Sequence, residues 1–201
     1  MAYERLVTGA TAVGLRTKDA VVLAAEKRVS YGGFVMSRAG RKVFLIKDKY
    51  GVAFAGLFAD IQALKRLMNV EIHSYEIENG RPISVRSAAR LLSVILYQYK
   101  LMPFLSEVIF GGIDSQGAHL YVMDSLGSLI EDDYAAVGTG APVAIGIIES
   151  RYSKDMKVEE AEQLAIDAVK AAISRDAVSG DGVDVVVITH DKSWEKSITV
   201  R

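Results

Sequence analysis

The chain contains no cysteine, which excludes disulfides, thiolate metal sites and a cysteine nucleophile. Charge of one sign is also lacking: 24 Lys plus Arg stand against 25 Asp plus Glu, so nothing provides a broad footprint for a phosphate backbone, and nucleic acid is not expected as a partner. No apolar run approaches the roughly 18 uninterrupted residues that would indicate a membrane span. The opening MAYERLVTGATAVGL carries Glu4 and Arg5 and lacks the apolar core of a secretory signal, so a cytoplasmic location is expected. Proline is scarce, at three in 201 residues, half of the residues are hydrophobic, and no linker-like seam is visible; the expectation is one well-buried domain.

The first quarter reads as strands: TAVGL, AVVLAAEKRV, RKVFLI and YGVAFAGLF, separated by Lys-Asp or glycine-containing breaks. A helical period follows from Asp60, with Ile61, Leu64, Met68, Ile72 and Tyr75 on one stripe and Gly80 then Pro82 closing it. Ser84 is placed to cap a second helix whose stripe is Val85, Ala88, Leu92, Ile95 and Tyr99, stopped by Pro103. Strand signals return in SEVIFGGI, AHLYVMD, GSLIED and YAAVG, with a hairpin-like turn from Asp124 to Ser128. PVAIGIIESRY and VEEAEQLAIDAVKAAISR then read as helices, and VDVVVITH and KSITV as strands. Strands and helical pairs segregated in this way favour an α+β layering, two sheets with a helical pair on each outer face, over a doubly wound fold.

Several residues could carry chemistry. The GTG turn, Gly138 to Gly140, could cradle an anion ahead of a helix, although it lacks the spacing of either common phosphate-binding fingerprint; a plain strand-to-helix turn is the simpler reading. His73, His119 and His190 have no ligand spacing, and neither metal nor cofactor is expected. Lys42 opens an apolar strand, where its ammonium could be desolvated beside carboxylates; spacing alone favours a strand-end surface lysine. The segment SRDAVSGDG, from Ser174 to Gly182, packs Asp, Ser and Gly into a turn that a helix C-terminus would explain on its own.

Taken in order, TGATAVGLRTKDAVVLAAEKRV, RKVFLI, VAFAGLFAD, LYVMD, AAVGTGAP and SRDAVSGDGVDVVVIT resemble the proteasome β subunit family, in its archaeal form, over almost the whole chain. The resemblance implies the N-terminal-nucleophile hydrolase fold, a four-layer αββα sandwich. It implies a threonine-type endopeptidase complex that degrades proteins to peptides, with α subunits and other β subunits in stacked heptameric rings and an ATP-dependent regulatory particle reached through the α rings. Active members end a propeptide in Gly and expose the following Thr as a new N-terminus, whose hydroxyl attacks while its own amine moves the proton. Here Gly9 is followed by Ala10. The resemblance carries the acidic partner to Glu26, the activating lysine to Lys42, the oxyanion amide to Gly56 and the supporting turn to Asp176, Ser179 and Gly180, with Thr139 where the family usually has serine. It places the substrate pocket on Val29, Gly40, Phe44, Phe54 and Phe58, a pocket crowded by phenylalanine unless those rings are core. Lys42 is expected to be held as an ion pair by Glu26 and Asp176.

Alanine has no hydroxyl to deprotonate, so the chain is expected to be a structural, non-cleaving subunit, with residues 1–9 a retained propeptide-like extension and 10–201 a single β-type domain. Thr11 cannot substitute: one residue along a strand shifts the backbone by about 3.3 Å and turns the side chain to the other face. Thr8 faces the right side but lies about 6.6 Å too far along. Two alternatives stand beside this reading. One is a Thr to Ala trapped form of an active subunit, against which Ala12 counts because it replaces a second residue of the usual Thr-Thr-Thr opening. The other is a stand-alone small-molecule-binding domain using the GTG turn.

Overall fold

The strand-forming runs pair into two antiparallel sheets and leave helices to cover their outer faces. The computed structural model describes residues 9–200. In chain order the elements are β1 (Thr11–Arg16), β2 (Ala20–Glu26), β3 (Val29–Tyr31), β4 (Phe34–Ser37), β5 (Val43–Ile46), β6 (Tyr50–Gly56), α1 (Phe58–Asn79) and α2 (Val85–Gln98). There follow β7 (Ser106–Asp114), β8 (Gly117–Met123), β9 (Ile130–Glu131), β10 (Tyr134–Gly138), α3 (Ala141–Arg151), α4 (Val158–Ile173), β11 (Val183–Thr189) and β12 (Ser193–Ile198). One sheet runs β10-β1-β2-β11-β12 and the other β5-β6-β7-β8-β9.

Side-chain alternation along each strand divides the core into three layers. In β1, Val13 and Leu15 pack against α3 and α4, whereas Ala12, with Ala10 just before the strand, turns into the space between the sheets beside Ala53, Ala55 and Val137. In β6, Val52 and Phe54 face α1 and α2. The result is the α+β four-layer sandwich expected from the order of the elements. Each fully buried Val, Leu or Ile contributes on the order of 1.5–3 kcal/mol, which is why strands such as β2, buried at every position, anchor the sandwich.

The helix ends follow the sequence signals. Gly80 terminates α1 in the left-handed region at φ 63° and donates its N–H to the Glu76 carbonyl. Ser84 caps α2, its Oγ accepting the Ser87 N–H at 3.1 Å. Ser84→Ala is expected to lower stability by about 1 kcal/mol, measured as a shift in the denaturant midpoint at unchanged slope. Tyr99 departs from the expected stripe: it lies just past α2 and is half exposed.

Three differences from the sequence reading bear on the site. The run through Val29 is not one strand: it breaks after Glu26, and β3 and β4 form a separate hairpin about Gly32 and Gly33, both at positive φ. Phe58 starts α1 instead of ending β6, and β12 begins before KSITV, at Ser193. Among the described residues, no helix is long and apolar enough to cross a membrane.

Candidate functional site

The site lies where β2 ends, β5 begins and the loop after α4 returns between them. The buried ammonium of Lys42 donates to Glu26 Oε1 at 2.6 Å, to the Glu26 carbonyl at 3.3 Å and to the Arg28 carbonyl. Both partners are withdrawn from solvent: the Lys42 side chain is 2% exposed and that of Glu26 is 0%. This overturns the surface-lysine reading. A lysine this deep is retained only because a carboxylate and two carbonyls saturate its three protons.

Glu26 is held on its other oxygen as well. Oε2 accepts the Arg28 N–H at 2.6 Å and the Gly180 N–H at 3.0 Å, which ties the Asp176 to Gly180 turn to the end of β2. Burial pushes the Glu26 carboxyl up and the Lys42 ammonium down, each against the attraction of the other. Burial thus favours the uncharged form of each partner, and their mutual attraction favours the ion pair.

Asp176 does not join that pair. Its Oδ2 accepts the hydroxyls of Thr139 and Ser179, each at 2.6 Å. The expectation that Asp176 also holds Lys42 is therefore corrected: the turn presents this carboxylate to the GTG segment. Ser179 has one proton and gives it to Asp176, so Thr11 is the donor in its 2.8 Å contact with Ser179 Oγ. Thr11 is thus fully buried on the face of β1 opposite Ala10, as strand alternation requires. Thr139 Oγ1 also lies 3.3 Å from the Ala10 carbonyl.

The GTG turn is filled by the chain itself. Gly138, at φ 92°, donates its N–H to Glu107 Oε2 at 2.6 Å, so the anion this turn could cradle is a side chain of β7. A side chain at Gly138 would strike the Ala10 carbonyl, and one at Gly9 would overlap Val178 and Thr139. Glycine at both places lets the backbone around position 10 close to van der Waals contact.

Beside Lys42 opens a cavity of about 240 Å³, with Gly9, Gly56, Val29, Tyr31, Met36 and Phe58 among its walls. Gly56 sits at φ 145° with its Cα against the Leu105 carbonyl, a place no side chain fits. Of the expected pocket residues, Val29 and Phe58 line the cavity, and Gly40 backs both. Phe44 and Phe54 do not. They pack edge to face at 6.2 Å against the helical layer, because their positions alternate away from the site. Tyr31 and Met36 of the β3–β4 hairpin take their place.

Sequence reasoning missed Arg28. Its Nε donates to Asp181 Oδ2 at 2.8 Å, its Nη1 to the Ala177 carbonyl at 3.1 Å, and its guanidinium covers Gly180. The charged run Glu26-Lys27-Arg28 at a strand end was the available signal. His73 and His190 are exposed, while His119 Nδ1 lies 2.9 Å from Glu131, away from the site. Among the described residues no metal-binding cluster is present.

Position 10 carries a methyl group; its carbonyl lies beside the Thr139 hydroxyl, and Gly9 before it shares a cavity wall with Lys42. Residues 6–188 match the family described as Proteasome subunit. Over 205 residues and the full length of both chains, the protein is 60% identical to proteasome subunit beta 1 of Hyperthermus butylicus. It is 52% identical over 198 residues to proteasome subunit beta 2 of Pyrobaculum neutrophilum and to that of Pyrobaculum arsenaticum, covering 98% of each chain.

Proposed function

Because the chain belongs to the proteasome subunit family, as a β subunit of the archaeal type, we propose that it builds the core-particle wall and does not cut. The observation that supports the reading is an alanine directly after Gly9, its carbonyl beside Thr139, in a chain where Glu26 is bonded to Lys42 and Gly180, and Asp176 to Ser179 and Thr139. Among the described residues no side chain nearby replaces the hydroxyl that alanine lacks, since Thr11 is committed to Ser179 on the far face. Endopeptidase activity of the threonine type then resides in a sister β subunit, within stacked heptameric rings of α and β subunits in the cytoplasm. An ATP-dependent regulatory particle feeds substrate through the α rings.

In this reading residues 10–201 act as one β-type domain behind an uncleaved extension, residues 1–9, of which 1–8 lie outside the described residues, Thr8 among them. Self-removal needs a hydroxyl to attack the Gly9 carbonyl, and Ala10 has none. Particles assembled with this chain as their β-type subunit are expected to show its intact mass and no turnover of fluorogenic peptides. Adding a sister β subunit is expected to bring turnover. A chain that starts at Ala10 without any other protease, or peptide cleavage by this chain alone, would overturn the assignment.

A further inference from the structure

Asparagine is rarer in this chain than proline: there are two, Asn69 and Asn79, and both lie on α1. Their settings differ. Asn69 is inside the helix and is followed by Val70, whose branched side chain crowds its own backbone nitrogen. Asn79 is the last residue of the helix and is followed by Gly80, which takes the left-handed conformation at φ 63°. Asn79 is exposed, and a side chain at Gly80 would meet nothing within 4 Å.

The side-chain amide of an asparagine is an electrophile for the backbone nitrogen of the residue after it. That nitrogen bonds to the asparagine Cγ, a cyclic imide closes and ammonia leaves. Water then opens the imide at one of its two carbonyls, giving Asp or isoaspartate and restoring the backbone N–H. One water enters, one ammonia departs, and nothing is oxidised or reduced. A following glycine offers the least steric resistance to this closure, which makes Asn79 the heat-labile asparagine of the two.

Neither reacting group is free in the folded chain. The Gly80 N–H donates to the Glu76 carbonyl at 2.9 Å, and Asn79 Nδ2 donates to the Tyr75 carbonyl at 2.8 Å. For the ring to close, the nitrogen must leave its carbonyl and Asn79 must leave helical ψ, so the last turn of α1 has to open. That turn is lightly held. Ile72 is the last buried residue of α1, Ile77 is 69% exposed, and no basic residue in the last turn complements the helix dipole. The Lys47–Glu76 pair at 2.6 Å lies at the surface, where such a pair contributes little.

We propose that Asn79 is a modification site, converted to Asp or isoaspartate at a rate set by the opening of the last turn of α1. The product loosens the turn that shielded it. A carboxylate at position 79 stands at the negative end of the helix dipole, beside Glu76 and Glu78. Isoaspartate also lengthens the main chain just ahead of Arg81, Pro82 and Ile83, and the Ile83 carbonyl accepts the buried Tyr50 hydroxyl that ties this turn to β6. The chemistry is independent of whether position 10 carries a hydroxyl.

The test is to incubate the full-length chain in mildly alkaline, heavy-oxygen water, folded in one sample and unfolded in urea in the other, and to read the α1 peptides by mass spectrometry. Heavy oxygen is expected at position 79 and not at 69, as a mixture of Asp and isoaspartate, with the folded chain slower by about tenfold or more. Glu78→Lys, which adds a cation to the last turn, is expected to slow the folded chain about twofold or more and to leave the rate in urea unchanged. The full-length Asn79→Asp variant is expected to unfold at a lower denaturant midpoint. Labelling at 69 as fast as at 79, or none at 79 in urea, would overturn the site. Equal rates folded and unfolded would overturn the control by helix opening. No product in the folded chain just below its unfolding transition would overturn the proposal too, because the turn would then open only with the whole molecule. An unchanged midpoint for Asn79→Asp would overturn the loosening.

Discussion

In particles whose β-type chain carries Ala10→Thr, residues 1–9 are expected to be released and peptide turnover to rise at least about a hundredfold above that of the Ala10 chain. The new hydroxyl would follow Gly9 and project, as the Ala10 methyl does, into the space between the sheets. Its neighbour Gly9 lines the cavity that Lys42 also lines, and burial has already pushed that lysine's ammonium down. The turn behind it needs no rearrangement, since Asp176 is bonded to Ser179 and Thr139 without help from position 10. Turnover should nevertheless stay slow. Thr139 carries a methyl where the resemblance to the family implies serine, and a displacement of about 1 Å at such a site can cost on the order of a hundredfold. Mass-detected processing together with fluorogenic-peptide kinetics is the measurement. Full activity would indicate a trapped form of an active subunit, and no processing at all would mean the remaining residues are no longer competent.

Removing the lysine should be as consequential for folding as adding the threonine is for chemistry. Lys42→Ala leaves the Glu26 carboxylate buried with only two backbone N–H donors. Breaking a buried pair from one side costs roughly 3–5 kcal/mol. For a chain of this size that corresponds to a melting temperature lower by about 6–20 °C. Glu26→Gln combined with Lys42→Met should recover most of the loss, because neither charge then remains in the interior. An unchanged melting temperature for Lys42→Ala would mean that water reaches the pair and that its burial is not felt.

The layers of the fold were legible because they depend on local period. Ile61, Leu64, Met68 and Ile72 are all buried on one side of α1, and Ser84 caps α2 as its chemistry suggests. The β3–β4 hairpin was also within reach, since Gly32-Gly33 between apolar residues is a turn signal, but the preceding run looked like one long strand. The setting of Lys42 was not legible from spacing. Its saturation depends on Glu26, 16 residues away, and on a carbonyl at Arg28 that no side-chain pattern reports. Phe44 and Phe54 mark the limit of positional resemblance: alternation sends their rings to the helical layer, and the hairpin that supplies Tyr31 and Met36 instead is visible only once the chain is folded.

The burial of Ala10 also bears on how such a chain evolves. Its methyl lies 1% exposed among Ala12, Ala53, Ala55 and Val137, an apolar lining that accepts a methyl without penalty and a hydroxyl only with a bonding partner. A cutting subunit must tolerate that polar group for the sake of its reaction, one form of the conflict between activity and robustness. Once a sister performs the reaction, mutations toward alanine here are favoured by packing alone, and each later change that settles around the methyl makes return harder. On the proposed reading of the chain as a non-cutting subunit, loss of the nucleophile works as a ratchet, and a silent copy drifts toward the sturdier fold.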